Sequence, residues 1–224
     1  MVELLQRIAL FSSLRKRELE HIAGKLVEYR CPKDGLILME ADTGSSLFLL
    51  VKGRVKISRT SGSGGEVILA ILKSGDVFGE ISLLDGESRT ANVTAIEDAE
   101  MLVLRREDFL AAVERYPKIA IGMLKELASR LRKSDSQIKS LSLLNAKGRV
   151  ASTLLQLADP AEESGLAAVE IQEMPTQQDM ANMAGTSRET ISRVLRQMEN
   201  TGYLERDHRY VLIRDKRKFT EKYL

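Results

Sequence analysis

Cysteine and histidine are almost missing from this chain of 224 residues, which has one cysteine and two histidines. The single Cys31 cannot form a disulfide within the chain, and such sparing use of cysteine is typical of a reducing compartment. His21 and His208 lie far apart in the sequence. The chain therefore lacks the ligand sets of a zinc site or a cysteine-held iron–sulfur cluster, and we expect neither a metal nor a cluster.

Long apolar runs and a strong excess of charge are missing as well. No stretch approaches the roughly 20 apolar residues of a membrane-spanning helix. With 43% hydrophobic and 29% charged residues, the composition is that of a soluble globular protein of one large or two small domains. The net charge of +2 neither requires nor excludes a nucleic-acid partner. We expect a cytoplasmic protein without a membrane partner.

The groupings on which most enzymatic catalysis depends are also missing. The two distant histidines leave no nucleophile–histidine pair, and no pair of catalytic carboxylates emerges from the spacing of the acidic residues. We therefore expect a binding protein rather than an enzyme, with no covalently bound cofactor.

What the chain does have is a dense stretch from Gly75 to Ala91, GDVFGEISLLDGESRTA. Gly79 would let the backbone approach a ligand closely, and a short helix that opens there would aim its N–H groups at an anion. Glu80 is an acceptor for sugar hydroxyls, and Arg89 has a planar fork of donors suited to a phosphate. The stretch predicts a pocket for a small sugar phosphate, although a Glu–Arg ion pair at a surface corner needs the same residues.

The whole string closely resembles the phosphate-binding cassette of cyclic-nucleotide-binding domains. The segments F-G-E-I-S-L-L and R-T-A, separated by the turn at Asp85-Gly86, occur in that family's order. In the family, the arginine and backbone N–H groups recognise the cyclic phosphate, and the glutamate recognises the ribose 2′-hydroxyl. The resemblance implies a cyclic-nucleotide effector whose pocket includes Gly79, Glu80, Ile81, Arg89, Thr90 and Ala91.

Short apolar runs punctuated by glycine-containing turns extend from about Val27 to Leu104. Many short strands with regular turns predict a closed or rolled β structure. Before it, apolar residues at helical spacing predict helices within residues 2–26.

A long helix is predicted after Pro117. Its apolar residues follow the 3-4 spacing of a two-stranded coiled coil, which favours a dimer seam, although a buried helix of a monomer can show this spacing over a few turns. Ser134 interrupts the seam. The predicted seam residues are Leu124, Leu127, Leu131, Ile138 and Leu141.

The base of the nucleotide is the part of the ligand that the cassette leaves without a partner. In the resembled family, the long helices of both subunits reach the base, and members that bind cyclic AMP carry Thr-Ser where this chain has Ser134-Asp135. The Asp135 carboxylate can accept from the adenine amine or from the guanine N1 and N2 hydrogens. We expect cyclic AMP, with cyclic GMP or cyclic di-GMP as the guanine alternative.

Charge is unevenly distributed towards the C-terminus. Between Val150 and Ser187 there are six acidic residues and no lysine or arginine, whereas Arg188–Leu224 has ten basic residues against six acidic ones. This asymmetry indicates one face built for a polyanion.

The segment Thr176–Met198 lies where the charge changes sign. Thr176 with Asp179, and Thr186 with Glu189, fit the caps of two helices, and Gly185 fits the turn between them. Two short helices joined by a glycine turn predict a helix-turn-helix, although an ordinary αα-hairpin has the same outline. Polar residues crowd the first turns of the second helix, where base and phosphate contacts belong. The predicted DNA-binding residues are Thr176, Gln177, Ser187, Arg188, Glu189, Ser192, Arg193 and Arg196.

The string S-R-E-T-I-S-R closely resembles the recognition helix of the cyclic-AMP receptor protein/fumarate–nitrate regulator (CRP/FNR) family, and a hairpin wing around Asp207-His208 completes the likeness. The resemblance implies a homodimeric transcription regulator that binds a palindrome with TGTGA-like half-sites. RNA polymerase is an implied partner, through the loop at Asp159–Gly165. Two alternatives are a ligand-independent regulator and a regulatory subunit of an enzyme or channel, and the helix pair argues against the second.

The predicted fold class is therefore α+β. We expect a jelly-roll-like β-roll that binds the cyclic nucleotide in residues 1–116 and a dimerisation helix in residues 117–145. Residues 146–224 are expected to form a winged helix-turn-helix domain that binds DNA.

Overall fold

The computed structural model of the chain describes residues 1–158 and 168–224. The loop predicted at Asp159–Gly165 lies outside the described residues. Contacts divide the chain into two units, Met1–Leu131 and Arg132–Leu224.

Helices frame the first unit at its two ends. The long helix α5 begins directly after Pro117, whose carbonyl accepts a hydrogen bond from the Ile121 N–H at 3.3 Å. Proline suits this position because its missing N–H costs no helical hydrogen bond. The helices that begin in this unit are α1 (Val2–Arg7), α2 (Lys16–Ala23), α3 (Glu80–Asp85), α4 (Arg106–Arg115) and α5 (Lys118–Leu143), the last of which continues into the second unit.

Eight strands form two four-stranded antiparallel sheets between α2 and α4, with strand orders β1-β8-β3-β6 and β2-β7-β4-β5. This architecture confirms the predicted α+β fold with a rolled β structure. The strands are β1 (Val27–Cys31), β2 (Leu36–Leu38), β3 (Ser46–Lys52), β4 (Val55–Thr60), β5 (Glu66–Leu72), β6 (Val77–Phe78), β7 (Asn92–Ala95) and β8 (Ala99–Arg105).

Strand β3 separates two hydrophobic cores. Leu47 and Leu49 belong to the core that the sheet shares with the helices, whereas Phe48 and Leu50 belong to the core inside the roll. Successive side chains of a strand point to opposite faces, so a strand covered on both faces is apolar throughout. Inside the roll the Phe48 ring stacks on Phe78 with centroids 5.0 Å apart. This stacking holds β6, the strand that leads into α3.

The second unit contains the end of α5, the helix pair and a three-stranded antiparallel sheet of order β10-β11-β9. The β10–β11 hairpin turns at His208, as predicted for the wing. The remaining elements are α6 (Ala146–Leu157), β9 (Val169–Ile171), α7 (Gln177–Ala184), α8 (Arg188–Asn200), β10 (Leu204–Asp207), β11 (Tyr210–Ile213) and α9 (Lys216–Tyr223).

One of the two predicted helix caps in this unit is confirmed, and the other is wrong. The Thr176 hydroxyl caps α7 by accepting from the Asp179 N–H at 3.1 Å. Helix α8 is capped by Ser187, which accepts from the Thr190 N–H at 3.2 Å, and not by Thr186. Thr186 lies one residue too early, because its N–H still closes the end of α7 through the carbonyl of Ala181 at 3.1 Å.

Two further findings apply to residues 1–158 and 168–224. None of the helices there is both long enough and apolar enough to cross a membrane. In the same residues, His, Cys, Asp and Glu side chains form no group of three or more that could hold a metal ion.

Candidate functional site

The cassette predicted from the sequence is built around Gly79, which joins strand β6 to helix α3. Its φ of +83° lies in the left-handed region that favours glycine. Space is a second constraint, since a Cβ atom at Gly79 would lie 2.8 Å from Nη1 of Arg89 and 2.9 Å from the carbonyl oxygen of Ser46. Glycine is therefore needed here because the arginine lies directly against the backbone.

The guanidinium of Arg89 is held from several sides, and the residue is only 6% exposed. Its Nη1 donates to the carbonyl of Gly79 at 2.7 Å and to Oγ of Ser82 at 2.8 Å, and its Nη2 donates to the carbonyl of Ser46 at 3.0 Å. These bonds use three of the five N–H donors of the group. All three acceptors are uncharged, and no carboxylate in the described part of the chain forms a salt bridge with Arg89.

The electrostatics of Arg89 follow from this burial. Burial lowers the pKa of the Arg89 guanidinium, and the negative charges of Glu80 and Asp42 oppose that shift. Guanidinium nevertheless keeps its proton in proteins. A buried cation whose hydrogen-bond acceptors are all neutral has lost much of its hydration without gaining a hydrogen-bonded counter-charge. An anion that reached the two remaining N–H groups would supply one.

Glu80 is the second buried charged group of the cassette and is 1% exposed. Its Oε1 accepts a hydrogen bond from Nη1 of Arg130 at 2.8 Å. Its Oε2 is buried and has no partner in the described residues. An unsatisfied buried acceptor costs about 1–3 kcal/mol, so this oxygen favours a ligand that brings a hydroxyl donor.

Arg130 is the residue that sequence reasoning missed. It lies on α5, and besides Glu80 it contacts the Val77 carbonyl through Nη2 and Oε1 of Glu126 through Nε. The sequence offers no signal for this role, because Arg130 lies three residues after Leu127, and only the structure shows that Leu127 packs against the core of the first unit. Residues three apart on a helix share a face, so Arg130 belongs to the inward face of α5.

The other predicted ligand residues differ in their surroundings. Ala91 is buried, whereas Ile81 and Thr90 are exposed. Ser134 and Asp135 lie on α5 within the second unit, and both are exposed. The structure thus brings together Gly79, Glu80 and Arg89 of the predicted residues. Arg89 bonds to the Gly79 carbonyl, and Arg130, which was not predicted, bonds to Glu80.

The predicted seam of α5 is only partly an exposed stripe. Leu124, Leu131 and Ile138 recur every seven residues and are 61%, 63% and 62% exposed. Leu141 is half exposed. Leu127, by contrast, is half-buried against the core of its own unit. Three of the predicted seam residues, Leu124, Leu131 and Ile138, therefore form an exposed seven-residue repeat, and Leu141 is an exposed seam residue outside that repeat.

Helix α8 presents a basic face beside its buried face. Arg188, Arg193 and Arg196 are exposed and form no salt bridge or side-chain hydrogen bond within residues 1–158 and 168–224. The arginines of the wing differ, since Arg206 forms two hydrogen bonds of 2.7 Å with Glu199. Guanidinium groups without a protein partner remain available to an external anion.

The remaining predicted DNA-binding residues cluster at the starts of α7 and α8. Hydrogen bonds from its own backbone N–H and from the Ser187 hydroxyl keep the pKa of Glu189 below its ordinary value, so the exposed carboxylate is an acceptor at neutral pH. The hydroxyls of Thr176 and Ser187 serve as helix caps on exposed residues, and Gln177 and Ser192 are half-buried.

Both halves of the chain match known protein families. The family model for the cyclic nucleotide-binding domain matches residues 29–116, and that for the Crp-like helix-turn-helix domain matches residues 148–221. Together the two matches cover well over half of the sequence. The chain belongs to the CRP/FNR family of transcription regulators. Membership confirms the predicted family and identifies this CRP/FNR member as a regulator rather than an enzyme.

Individual relatives of this CRP/FNR protein cover nearly its whole length. The cyclic AMP receptor protein of Thermus thermophilus is 38% identical over 86% of either chain. The CRP-like cAMP-activated global transcriptional regulator of Mycobacterium tuberculosis is 29% identical over 96% of either chain. The solved structure of the c-di-GMP-responsive global regulator CLP of Xanthomonas campestris is 21% identical, with a TM-score of 0.72, over 89% of this chain and 99% of its own. This last likeness shows the shared fold.

The packing at Gly79 can be tested against a glycine that shares its backbone conformation. Gly75 has a φ of +96°, but a Cβ atom there would meet nothing within 4 Å. Gly75→Ala should therefore cost only the left-handed strain, about 1–2 kcal/mol. Gly79→Ala should cost about 1–3 kcal/mol more in free energy of unfolding, because it displaces Arg89. Urea unfolding followed by circular dichroism measures both, and equal losses would contradict the close packing.

Proposed function

We propose that this protein is a homodimeric regulator whose binding to a palindromic DNA site is controlled by cyclic AMP. The observation that best supports nucleotide control is the pair of buried, incompletely satisfied charged groups at Arg89 and Glu80. Buried polar groups with unused hydrogen-bonding capacity are expected in a binding pocket, because they are arranged for an external partner.

The chemistry of the two groups fits a cyclic nucleotide. The two remaining N–H groups of Arg89 suit the oxygens of a cyclic phosphate, whose single negative charge would compensate the buried cation. The unpartnered Oε2 of Glu80 suits the ribose 2′-hydroxyl, which donates a hydrogen bond. Ser134 and Asp135 remain the predicted partners of the base.

Cyclic AMP is the proposed ligand because the relatives from Thermus and Mycobacterium are named for it. A guanine nucleotide is the second candidate, supported by the acceptor Asp135 and by the c-di-GMP response for which CLP is named. A ligand-independent regulator is the third, and the unsatisfied Glu80 oxygen argues against it.

The ribose contact can be tested with a ligand that lacks one oxygen. The 2′-deoxy analogue of cyclic AMP should bind more weakly by about 1.5–3 kcal/mol, the contribution of a hydrogen bond to a charged group. Glu80→Gln should reduce this discrimination, because the acceptor loses its charge, and Arg89→Ala should abolish binding of both ligands. Calorimetric titration with cyclic AMP, cyclic GMP, cyclic di-GMP and the analogue measures each affinity.

A matched control for Glu80→Gln is Glu126→Gln. Glu126 also contacts Arg130, at 2.8 Å, but has no contact with the cassette. Discrimination between the two ligands should survive in Glu126→Gln. If the two variants lost it equally, Glu80 would act through Arg130 and not as the partner of the ribose.

DNA binding is supported by the exposed arginines of α8, which form no salt bridge in the described part of the chain. Arg188 and Arg193 suit guanine O6 and N7, and the ionised Glu189 suits cytosine N4. The match of these three residues to the family's recognition helix leads us to propose TGTGA-like half-sites. Two-fold symmetry would separate half-sites by about 10–10.5 base pairs. RNA polymerase is the proposed protein partner.

Base recognition by α8 predicts a loss that depends on DNA sequence. Arg193→Ala should weaken binding to the preferred site by about 1–3 kcal/mol and relax discrimination at one base pair. The control is Arg206→Ala, which removes the same charge from an arginine already paired with Glu199. Fluorescence anisotropy with the palindrome, single-base variants and random DNA separates the effects. Equal losses on all DNAs would leave Arg193 with a phosphate contact only.

A dimer is supported by the exposed repeat on α5, because isolated helices rarely leave apolar residues at coiled-coil spacing in water. Leu131→Glu should dissociate the dimer, since it puts an unpaired charge into the seam. Leu143→Glu is the control, because Leu143 is 73% exposed but lies outside the seven-residue repeat. Sedimentation at micromolar concentration should give a dimer for the parent and the control. A monomeric parent would contradict the seam.

Control by the ligand then requires differential binding. The nucleotide must bind the arrangement that is competent for DNA more tightly than the other arrangement, and each tenfold preference shifts the equilibrium by about 1.4 kcal/mol.

A further inference from the structure

Arg149, near the start of α6, makes an unusual set of hydrogen bonds within the second unit. Its Nε donates to the carbonyl of Ala184 at 2.9 Å and its Nη2 to the carbonyl of Gly185 at 3.1 Å. Its Nη1 donates to the carbonyl of Leu144 at 3.1 Å. All three acceptors are backbone carbonyls, so the side chain holds backbone segments and not other side chains.

The three carbonyls belong to the ends of two helices. Ala184 is the last residue of α7, and Gly185 is the turn residue that leads towards α8. Leu144 follows α5 and closes its last turn through an N–H bond to the Ser140 carbonyl at 3.0 Å. Carbonyls at helix C-termini lack intrahelical partners and carry partial negative charge. One guanidinium therefore satisfies the C-terminal ends of both α5 and α7.

Among the described residues, the end of α5 is not part of the hydrophobic core beneath the helix pair. The hydrophobic core of the second unit, within its described residues, contains no residue of α5. Leu141 of α5 lies close to the turn, since a Cβ atom at Gly185 would lie 2.9 Å from its Cδ2. Gly185 also has a φ of +58°, so both the backbone conformation and the lack of space for a Cβ atom favour glycine at this turn.

We propose that Arg149 is a positioning residue for DNA recognition, which fixes the turn between α7 and α8 to the end of α5. The two elements then move as one body, and the orientation of the recognition helix follows that of α5. The proposal rests on the proposed DNA-binding function of α8. Lysine would not replace this arginine, because a single ammonium group cannot span carbonyls from two separate segments in the way that a planar fork does.

The experiment compares Arg149→Gln with Lys147→Gln in the full-length protein. Lys147 lies two residues earlier on the same helix and forms no side-chain hydrogen bond or salt bridge within the described residues, so both variants lose one positive charge from α6. Arg149→Lys is a third variant that keeps the charge without the fork. Affinity for the palindrome and for random DNA is measured with and without cyclic AMP. Hydrogen exchange is measured at the backbone N–H groups of residues 184–187.

A positioning role has a result that a general structural role would not give. Arg149→Gln should lose about tenfold or more in affinity for the palindrome, the effect of at least one charge-assisted hydrogen bond. Its loss on random DNA should equal that of Lys147→Gln, because non-specific binding depends on charge. Arg149→Lys should also lose affinity for the palindrome. Exchange should accelerate at Thr186, whose N–H bonds to Ala181, while the wing strands stay protected.

Other outcomes would overturn the proposal. Equal palindrome affinities and equal exchange rates in Arg149→Gln and Lys147→Gln would show that the turn does not depend on Arg149. Equal proportional losses on palindrome and random DNA, with exchange accelerated throughout the second unit, would mean that Arg149 only stabilises the fold. If the parent protein bound no DNA, the proposed function would fail instead. Exchange at residues 184–187 would then still decide whether Arg149 holds the turn.

Discussion

The buried guanidinium of Arg89 is the interaction on which the ligand-binding part of the first unit depends. Its three neutral acceptors come from β3, from the start of α3 and from the residue before α3, so the cation fixes the junction between strand and helix. Burying a cation is unfavourable unless its donors are satisfied. The local backbone is therefore built around Arg89, down to the left-handed Gly79 that leaves room for it. The donors that remain are the ones a phosphate would use.

Arginine has three different environments in this CRP/FNR protein, and each has a different consequence. Arg89 is buried, and its hydrogen-bond acceptors within the described residues are all neutral. Arg130 and Arg149 satisfy a carboxylate and carbonyls within the fold, and so attach α5 to its neighbours in each unit. Arg188 and Arg193 are exposed and form no salt bridge with the residues that the structure describes. The partner available to each guanidinium, and not the residue type, is the basis on which we propose ligand binding, positioning and DNA recognition for these arginines.

Much of the fold was predictable because the relevant signals are local. The short apolar runs between Val27 and Leu104 include β3 and β5, and the Thr176 cap and the wing hairpin lie where predicted. Short strands such as β6 were not predicted, because two residues carry too little pattern and depend on the stacking of Phe78 on Phe48. The α8 cap was assigned one residue early, since neighbouring Thr and Ser have the same capping chemistry and only the backbone at Ser187 decides between them.

The sequence by itself determined the family and the order of the elements, and it predicted the cassette and the recognition helix. Their motifs are contiguous, and their chemistry follows from residue type and spacing. Only the tertiary structure decided which groups are satisfied. Arg130 lies 50 residues from Glu80 in sequence, and Arg149 lies 35 from Ala184. Leu127 departs from its expected seam because a nearby core covers it. Pairing and burial depend on segments that are distant in sequence and close in space, so the local sequence pattern does not predict these contacts.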